Sequence, residues 1–208
     1  MRIALDAMGT DDAPSSEVAG AMAALEAASD LEVVLLGDRD DLEKELSAHS
    51  GYPEDRLHVH HAPERIQPGD SPALVVRRKP DSTIVTGLEL QKRGEVDAFV
   101  SAGSTGAVMA ASLFVLRPLP GVDRPSVATI LPSMKDPVLM LDAGANVNCK
   151  PHHLLQFARL GKIYAQDMLD RPRPRIGLLN IGEEPEKGDE LAVEAHRLLS
   201  ESGLNFVG

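Results

Sequence analysis

The residues of this chain best placed to do chemistry lie in Ser101–Gly106, which read Ser-Ala-Gly-Ser-Thr-Gly. An apolar run, Ala98–Val100, stops at Ser101, and Val108, Met109, Leu113 and Leu116 then recur at helical spacing. The pattern predicts a strand, a tight turn and a helix start. Gly103 and Gly106 let the backbone come close to a ligand, while Ser101, Ser104 and Thr105 add hydroxyl donors. The first N–H groups of the helix would face the crevice beyond the strand's carboxyl end, where an anion is readily held. The expectation is a phosphate seat. The turn matches neither GxGxxG nor GxxxxGK[ST], so a strand–helix turn packed on its glycines would read the same.

Other residues could join such a seat. Asn146, closing Asp142-Ala-Gly-Ala-Asn146, offers an amide to phosphate or to an oxyanion, or else caps its own turn. Asp142 could orient a cation or the seat, or make an Asx-turn. Lys187 follows Asn180 in an acidic loop with Glu183, Glu184 and Glu186, either as a cation for phosphate or as a surface lysine paired with those acids. Asp6 ends the first apolar run and, with Gly9 in the loop after it and Asn180, would share the crevice edge with Ser101 and Asp142 if the strands are parallel. Arg77, Arg78 and Lys79 form a cluster of positive charge suited to an acidic partner, or a solvated helix face. Cys149 has no evident base and reads as a bystander thiol. His58 and His60 share a strand face beside His61, but no third ligand follows at suitable spacing, so no metal is expected. His152 and His153 read as the first turn of a helix.

The elements that must position these groups alternate. Ile3–Leu5 reads as a strand, followed by a helix with Val18, Met22, Leu25 and Ala28 on one face and Asp11, Asp12 and Glu17 near its start. Leu31–Leu36 is a continuous apolar run, as in a strand covered on both faces. A short helix at Leu42–Leu46 and a strand at Leu57–His61 continue the β–α order, which implies parallel strands. The proline-rich stretch Ala62–Pro80 predicts a loop with one short helical turn, and Ser82–Arg93 a helix. Val127–Leu131 and Val138–Leu141 predict an antiparallel hairpin. Pro151 suits the first turn of a helix over His152–Met168. Arg175–Ile181 predicts a strand, Glu190–Ser200 a helix, and Leu204–Val207 the opening of another strand.

Composition narrows the function. Aromatic residues make up 3% of the chain, with no Trp, and the net charge is -11, so both stacking and charge argue against a nucleic-acid partner. A lone cysteine precludes an internal disulfide and suits a reducing cytoplasm. No apolar run is long enough to cross a bilayer.

Four segments, taken in order, resemble one family: Asp6–Pro14 (DAMGTDDAP), Ser101–Ala111 (SAGSTGAVMAA), Leu141–Ala158 (LDAGANVNCKPHHLLQFA) and Pro174–Leu191 (PRIGLLNIGEEPEKGDEL). They are similar to the bacterial PlsX family, the acyl-carrier-protein:phosphate acyltransferases of phospholipid synthesis, and the resemblance covers nearly the whole chain. Two positions depart from the family pattern: Thr10 stands where a second glycine is usual, and Ser104 where an asparagine is usual. The resemblance implies an α/β fold, a three-layer αβα sandwich with a mostly parallel sheet, akin to isopropylmalate dehydrogenase and phosphotransacetylase. It implies a homodimer that uses orthophosphate and acyl carrier protein, needs no cofactor, and is cytoplasmic with peripheral membrane contact left open. The acyl-phosphate would feed a membrane glycerol-phosphate acyltransferase. Because the family continues past Leu204–Gly208, residues 1–208 are expected to form a single α/β domain from the N-terminal portion of a longer enzyme.

That reaction fits the inventory. Orthophosphate is a nucleophile at neutral pH, so the protein need only align it with a thioester carbonyl and stabilise the oxyanion. Lys187 would then meet phosphate or the carrier's prosthetic arm, and Arg77, Arg78 and Lys79 would dock the acidic carrier. Rival readings are a phosphotransacetylase-like enzyme using acyl-coenzyme A, and a non-catalytic fragment that binds acyl carrier protein. A dehydrogenase is disfavoured because no nucleotide signature appears.

Overall fold

A computed structural model describes residues 1–49, 51–67, 69–182, 184 and 186–208. Pro68 of the proline-rich stretch and Glu183 of the acidic loop lie outside the described residues. The chain divides into two compact units, Met1–Arg117 and Pro118–Gly208.

In the first unit, strands β1 (Arg2–Asp6), β2 (Glu32–Gly37), β3 (Leu57–His61) and β4 (Ala98–Val100) form one sheet of order β3-β2-β1-β4. All three pairings are parallel, as the β–α alternation requires. The apolar run of β2 serves both faces. Val33 and Leu35 join Val18, Ala21 and Leu25 of α1 (Ser15–Ala27) and Leu42 and Leu46 of α2 (Arg39–Ser47) on one side. Val34 and Leu36 point to the other side, with Ala4 of β1 and Leu90 of α4 (Thr83–Lys92). Each fully buried leucine here contributes roughly 1.5–3 kcal/mol. Phe99 of β4 links this second cluster to α5 (Thr105–Val115), which packs on α4 and on the short helix α3 (Pro72–Arg78). The three-layer order that the resemblance implies is therefore present in this unit.

Two helical stripes differ from the sequence reading. In α1 the buried positions are Glu17, Val18, Ala21 and Leu25, and Met22 and Ala28 pack partly buried against the same cluster. In α5 the buried stripe is Ala107, Ala111 and Val115, whereas Leu113 and Leu116 are exposed. Alanine at two successive turns lets Ile84, Val85 and Leu88 of α4 come close, so small residues take the packed face and larger ones do not.

The second unit holds the expected antiparallel hairpin, β5 (Thr129–Leu131) with β6 (Val138–Met140), and helices α6 (Pro151–Met168) and α7 (Glu190–Ser200). Pro151 opens α6 as its sequence position predicts. Helices α6 and α7 pack together, with Phe157, Ala165, Ala195 and Leu199 buried. The strand expected over Arg175–Ile181 is reduced to one parallel bridge, Ile176 with Phe206, flanked by bonds from Ile176 N–H to Asn205 O and from Val207 N–H to Ile176 O. Leu178 N–H also donates to Gly208 O at 2.9 Å. No helix among the described residues is long and apolar enough to cross a membrane.

Candidate functional site

The strand order creates one place where chains diverge. The connection after β1 runs to α1 on one face of the sheet, while the connection after β4 runs to α5 on the other. Between the carboxyl ends of these neighbouring strands lies the topological switch point, where open α/β sheets bind ligands. The loops Asp6–Pro14 and Ser101–Ser104 flank it. The sequence identified both loops, but only the strand order shows that they are neighbours across a switch point.

The two loops touch through small groups. Ser101 Oγ donates to Asp6 Oδ2 at 2.7 Å, and Asp6 Oδ1 accepts Met8 N–H at 3.1 Å. Asp6 is buried, 2% exposed, and so spends its carboxylate on holding the loops. Gly103 N–H donates back to Ser101 Oγ at 3.0 Å. A Cβ on Gly9 would lie 2.9 Å from Gly103 N and 3.1 Å from Asp6 Oδ2, so glycine is required there for the two backbones to cross.

Beyond Gly103 the turn opens. Ser104 is the N-cap of α5, its Oγ accepting Ala107 N–H at 3.3 Å. The N–H groups of Thr105 and Gly106 have no helical partner and meet no acceptor among the described residues. Ala102, Ser104 and Thr105 are exposed, and Pro72 of α3 flanks Gly106, 3.2 Å from where a Cβ would sit. Of the expected seat, Ser101 and Gly103 are thus framework, and Thr105 and Gly106 present the open donors. That arrangement can take an anion at the helix dipole's positive end.

In the second unit, Asp142 accepts Val127 N–H at 2.9 Å and Ala145 N–H at 3.3 Å on Oδ1, and Asn146 N–H at 2.7 Å on Oδ2. The Asn146 side-chain amide donates to Pro125 O at 2.8 Å and to Asp142 Oδ2 at 3.2 Å. Of the two roles the sequence left open for this pair, these bonds serve the turn-holding one. An amide whose donors are both engaged has none left for an oxyanion. Asn180 Nδ2 donates to Lys187 O at 2.7 Å, which fixes the backbone of the acidic loop. The Lys187 side chain is exposed, and among the described residues neither Glu184 nor Glu186 lies within ion-pair distance of it. Beside it, Leu154, Leu178, Leu179, Ile181 and Leu191 line an open apolar groove with Asn180 at its wall, and Leu179 and Ile181 are 84% and 88% exposed. Nothing in the residue pattern signals this groove, because its lining comes from α6, α7 and the segment between them.

The basic cluster is divided. Lys79 Nζ turns inward to Asp70 Oδ2 and Arg65 O, holding the Asp70 carboxyl below its usual value, while Arg77 and Arg78 stay exposed. Burial and the nearby Asp142 carboxylate push the Cys149 thiol up, against the opposing charge of Arg124, so it is a poor nucleophile. Asp123, His152 and His153 converge at the start of α6. His153 Nδ1 accepts Lys150 N–H at 3.0 Å, which puts the proton of the neutral ring on Nε2. Neither nitrogen of His153 is then free for a metal, and two side chains remain.

Fold and turn together define the class: an α/β protein with a parallel sheet covered on both faces and an open helix-start turn at its switch point. The family model described as fatty acid synthesis protein matches residues 1–208, and the chain belongs to that family. Among curated proteins it is 50% identical over 208 residues to a phosphate acyltransferase of Clostridium tetani, covering all of this chain and 62% of that protein. It is 49% identical over 209 residues to a phosphate acyltransferase of Salinibacter ruber, again covering 62% of the relative. The chain therefore spans about 62% of the length of these relatives. Among solved structures, the EutD phosphotransacetylase from Staphylococcus aureus superimposes with a TM-score of 0.67 at 20% identity, covering 100% of this chain and 67% of that one. A 4-hydroxythreonine-4-phosphate dehydrogenase from Burkholderia phymatum gives 0.52 at 18% identity, covering 100% and 73%. These two likenesses establish the fold, in agreement with the sequence reading.

Proposed function

We propose that this chain is the phosphate-holding part of a phosphate acyltransferase that moves a fatty acyl group from the thioester of acyl carrier protein to orthophosphate. A phosphate oxygen attacks the thioester carbonyl, the C–S bond breaks, and the thiolate takes up the proton that phosphate releases. The observation that carries the reading is near-50% identity, along the whole chain, to proteins named phosphate acyltransferase. The open N–H groups of Thr105 and Gly106 give that chemistry a seat of the right charge.

The open apolar groove beside the Lys187 loop suits an acyl chain better than it suits phosphate. Arg77 and Arg78 are the part of the basic cluster left to meet an acidic carrier. Homodimer formation, membrane contact and delivery of acyl-phosphate to a membrane acyltransferase belong to the same proposal.

Calorimetry with inorganic phosphate tests the seat. Ser104→Trp should abolish binding by filling the turn, and unchanged affinity would remove the assignment. Incubation of the protein with thioesters of acyl carrier protein or of coenzyme A separates the acyl donors. Acyl-phosphate formed from coenzyme A esters alone would overturn the carrier-protein reading.

A further inference from the structure

Glu17 does not behave as its position near a helix start predicts. It is the third residue of α1, where an acid ordinarily folds back to the N-cap N–H. Here the N-cap is Pro14, which has no N–H to offer. The carboxylate instead reaches past it, and Glu17 Oε1 accepts Thr10 N–H at 3.0 Å. The residue is 7% exposed, and its Oε2 is buried with no partner among the described residues. Burying a carboxylate on a single hydrogen bond is a poor device for stability alone. What the acid does is grip the loop.

A second grip comes from the loop after β3. Arg65 Nη2 donates to Thr10 O, and Lys79 in turn donates to Arg65 O at 2.8 Å. Both polar groups of the Thr10 backbone are therefore held, the N–H by α1 and the carbonyl by the 62–71 loop. Thr10 is the neighbour of Gly9, whose backbone passes so near Gly103 that a Cβ on Gly9 would lie 2.9 Å from Gly103 N. A displacement of Thr10 would be passed to Gly9, then to Gly103, and so to the turn that leads into Thr105 and Gly106.

We infer that Glu17 and Arg65 are positioning residues: gripping Thr10 by its N–H and its carbonyl, they set where the anion-facing amides of Thr105 and Gly106 sit. The inference rests on the phosphate-seat reading. Among the described residues, neither side chain hydrogen-bonds to the 101–106 turn. Both act through Thr10.

The test combines calorimetry with inorganic phosphate and amide NMR on the same chain. Glu17→Ala and Arg65→Met should each weaken phosphate binding about tenfold, the size of one charge-assisted hydrogen bond. Both should shift the Gly9 and Gly103 amide resonances. Glu17→Gln should restore affinity to within about threefold, because its amide oxygen still accepts Thr10 N–H. Should Glu17→Ala fail to fold, Arg65→Lys set against Arg65→Met makes the same comparison, with lysine rescuing. Wild-type affinity and an unmoved Gly103 resonance in Glu17→Ala would overturn the inference. So would a Glu17→Gln variant no better than alanine, with losses that follow melting temperature alone. If the wild-type chain binds no phosphate, the seat reading fails by itself. The positioning role is then decided by the resonances: a Gly103 shift in Glu17→Ala supports it, and no shift overturns it.

Discussion

Ser101 Oγ donates to Asp6 Oδ2 at 2.7 Å, joining the carboxyl ends of two adjacent parallel strands whose chains then leave for opposite faces of the sheet. The hydroxyl also accepts Gly103 N–H at 3.0 Å, so one serine connects a buried acid to the glycine of the turn. The open amides lie only two and three residues further along. Rigid framework and open donors are thus parts of one short segment.

Ser101→Ala removes this junction. Asp6 Oδ2 loses its hydroxyl donor while staying buried, and Gly103 N–H loses its acceptor. A cost of about 1–3 kcal/mol is expected, read as a lower urea midpoint by circular dichroism. A midpoint equal to wild type would show that the bond does not hold the loops.

Two glycines should respond to alanine with opposite signs. At Gly9 the added methyl meets Gly103 N at 2.9 Å and Asp6 Oδ2 at 3.1 Å, backbone and buried carboxylate that have little room to move. Destabilisation of about 1–3 kcal/mol is expected, with loss of phosphate binding. Gly20 lies inside α1, exposed, with nothing within 4 Å of a new Cβ. Gly20→Ala should stabilise by about 0.5–1 kcal/mol through helix propensity alone. Thermal melts of the two variants side by side check both signs.

Much of this arrangement was legible in the residues. The double-sided burial of β2 follows from its unbroken apolar run, and the start of α6 from Pro151. The end of β4 follows from the change to small residues at Ser101. What could not be read is what depends on partners distant in sequence. Ser101 bonds Asp6 across 95 positions, and Glu17 turns inward only because Pro14 leaves it no nearby N–H. Helix α5 misled for a related reason. Its larger apolar residues look like the core stripe, but its packed face is set by how close α4 comes, and alanines permit the closest approach. Lys79, one of three like charges in sequence, is set apart by Asp70, a residue no spacing rule connects to it.

Asp142→Asn probes the second unit. The carboxylate accepts four donors: the N–H groups of Val127, Ala145 and Asn146, and the Asn146 side-chain amide. Asparagine would turn an NH2 group against some of them, at a cost of about 2–3 kcal/mol. Urea denaturation should show the loss, and inorganic phosphate should bind as in wild type. A fall in phosphate affinity at unchanged stability would mean that Asp142 acts on the ligand and not on its turn.

His153 gives a pH prediction whose sign follows from its environment. Burial pushes its imidazole below the ordinary value of 6.5, and the neighbouring His152, Arg124 and Lys150 act in the same direction, with Asp123 opposing. The bond from Lys150 N–H to Nδ1 needs that nitrogen unprotonated, which also favours the neutral ring. Between the lowered folded value and 6.5, the unfolded chain therefore binds more protons than the folded one, and stability rises with pH. The contribution is fully present above the unfolded value and is lost as pH falls toward the folded one. Urea midpoints should drop between roughly pH 7.5 and 5.5, the range in which histidines change charge. His153→Gln keeps an acceptor for Lys150 N–H but has no charge to gain, so its midpoint should fall less over the same range. Equal slopes for the two proteins would mean that this ring is not the group that titrates.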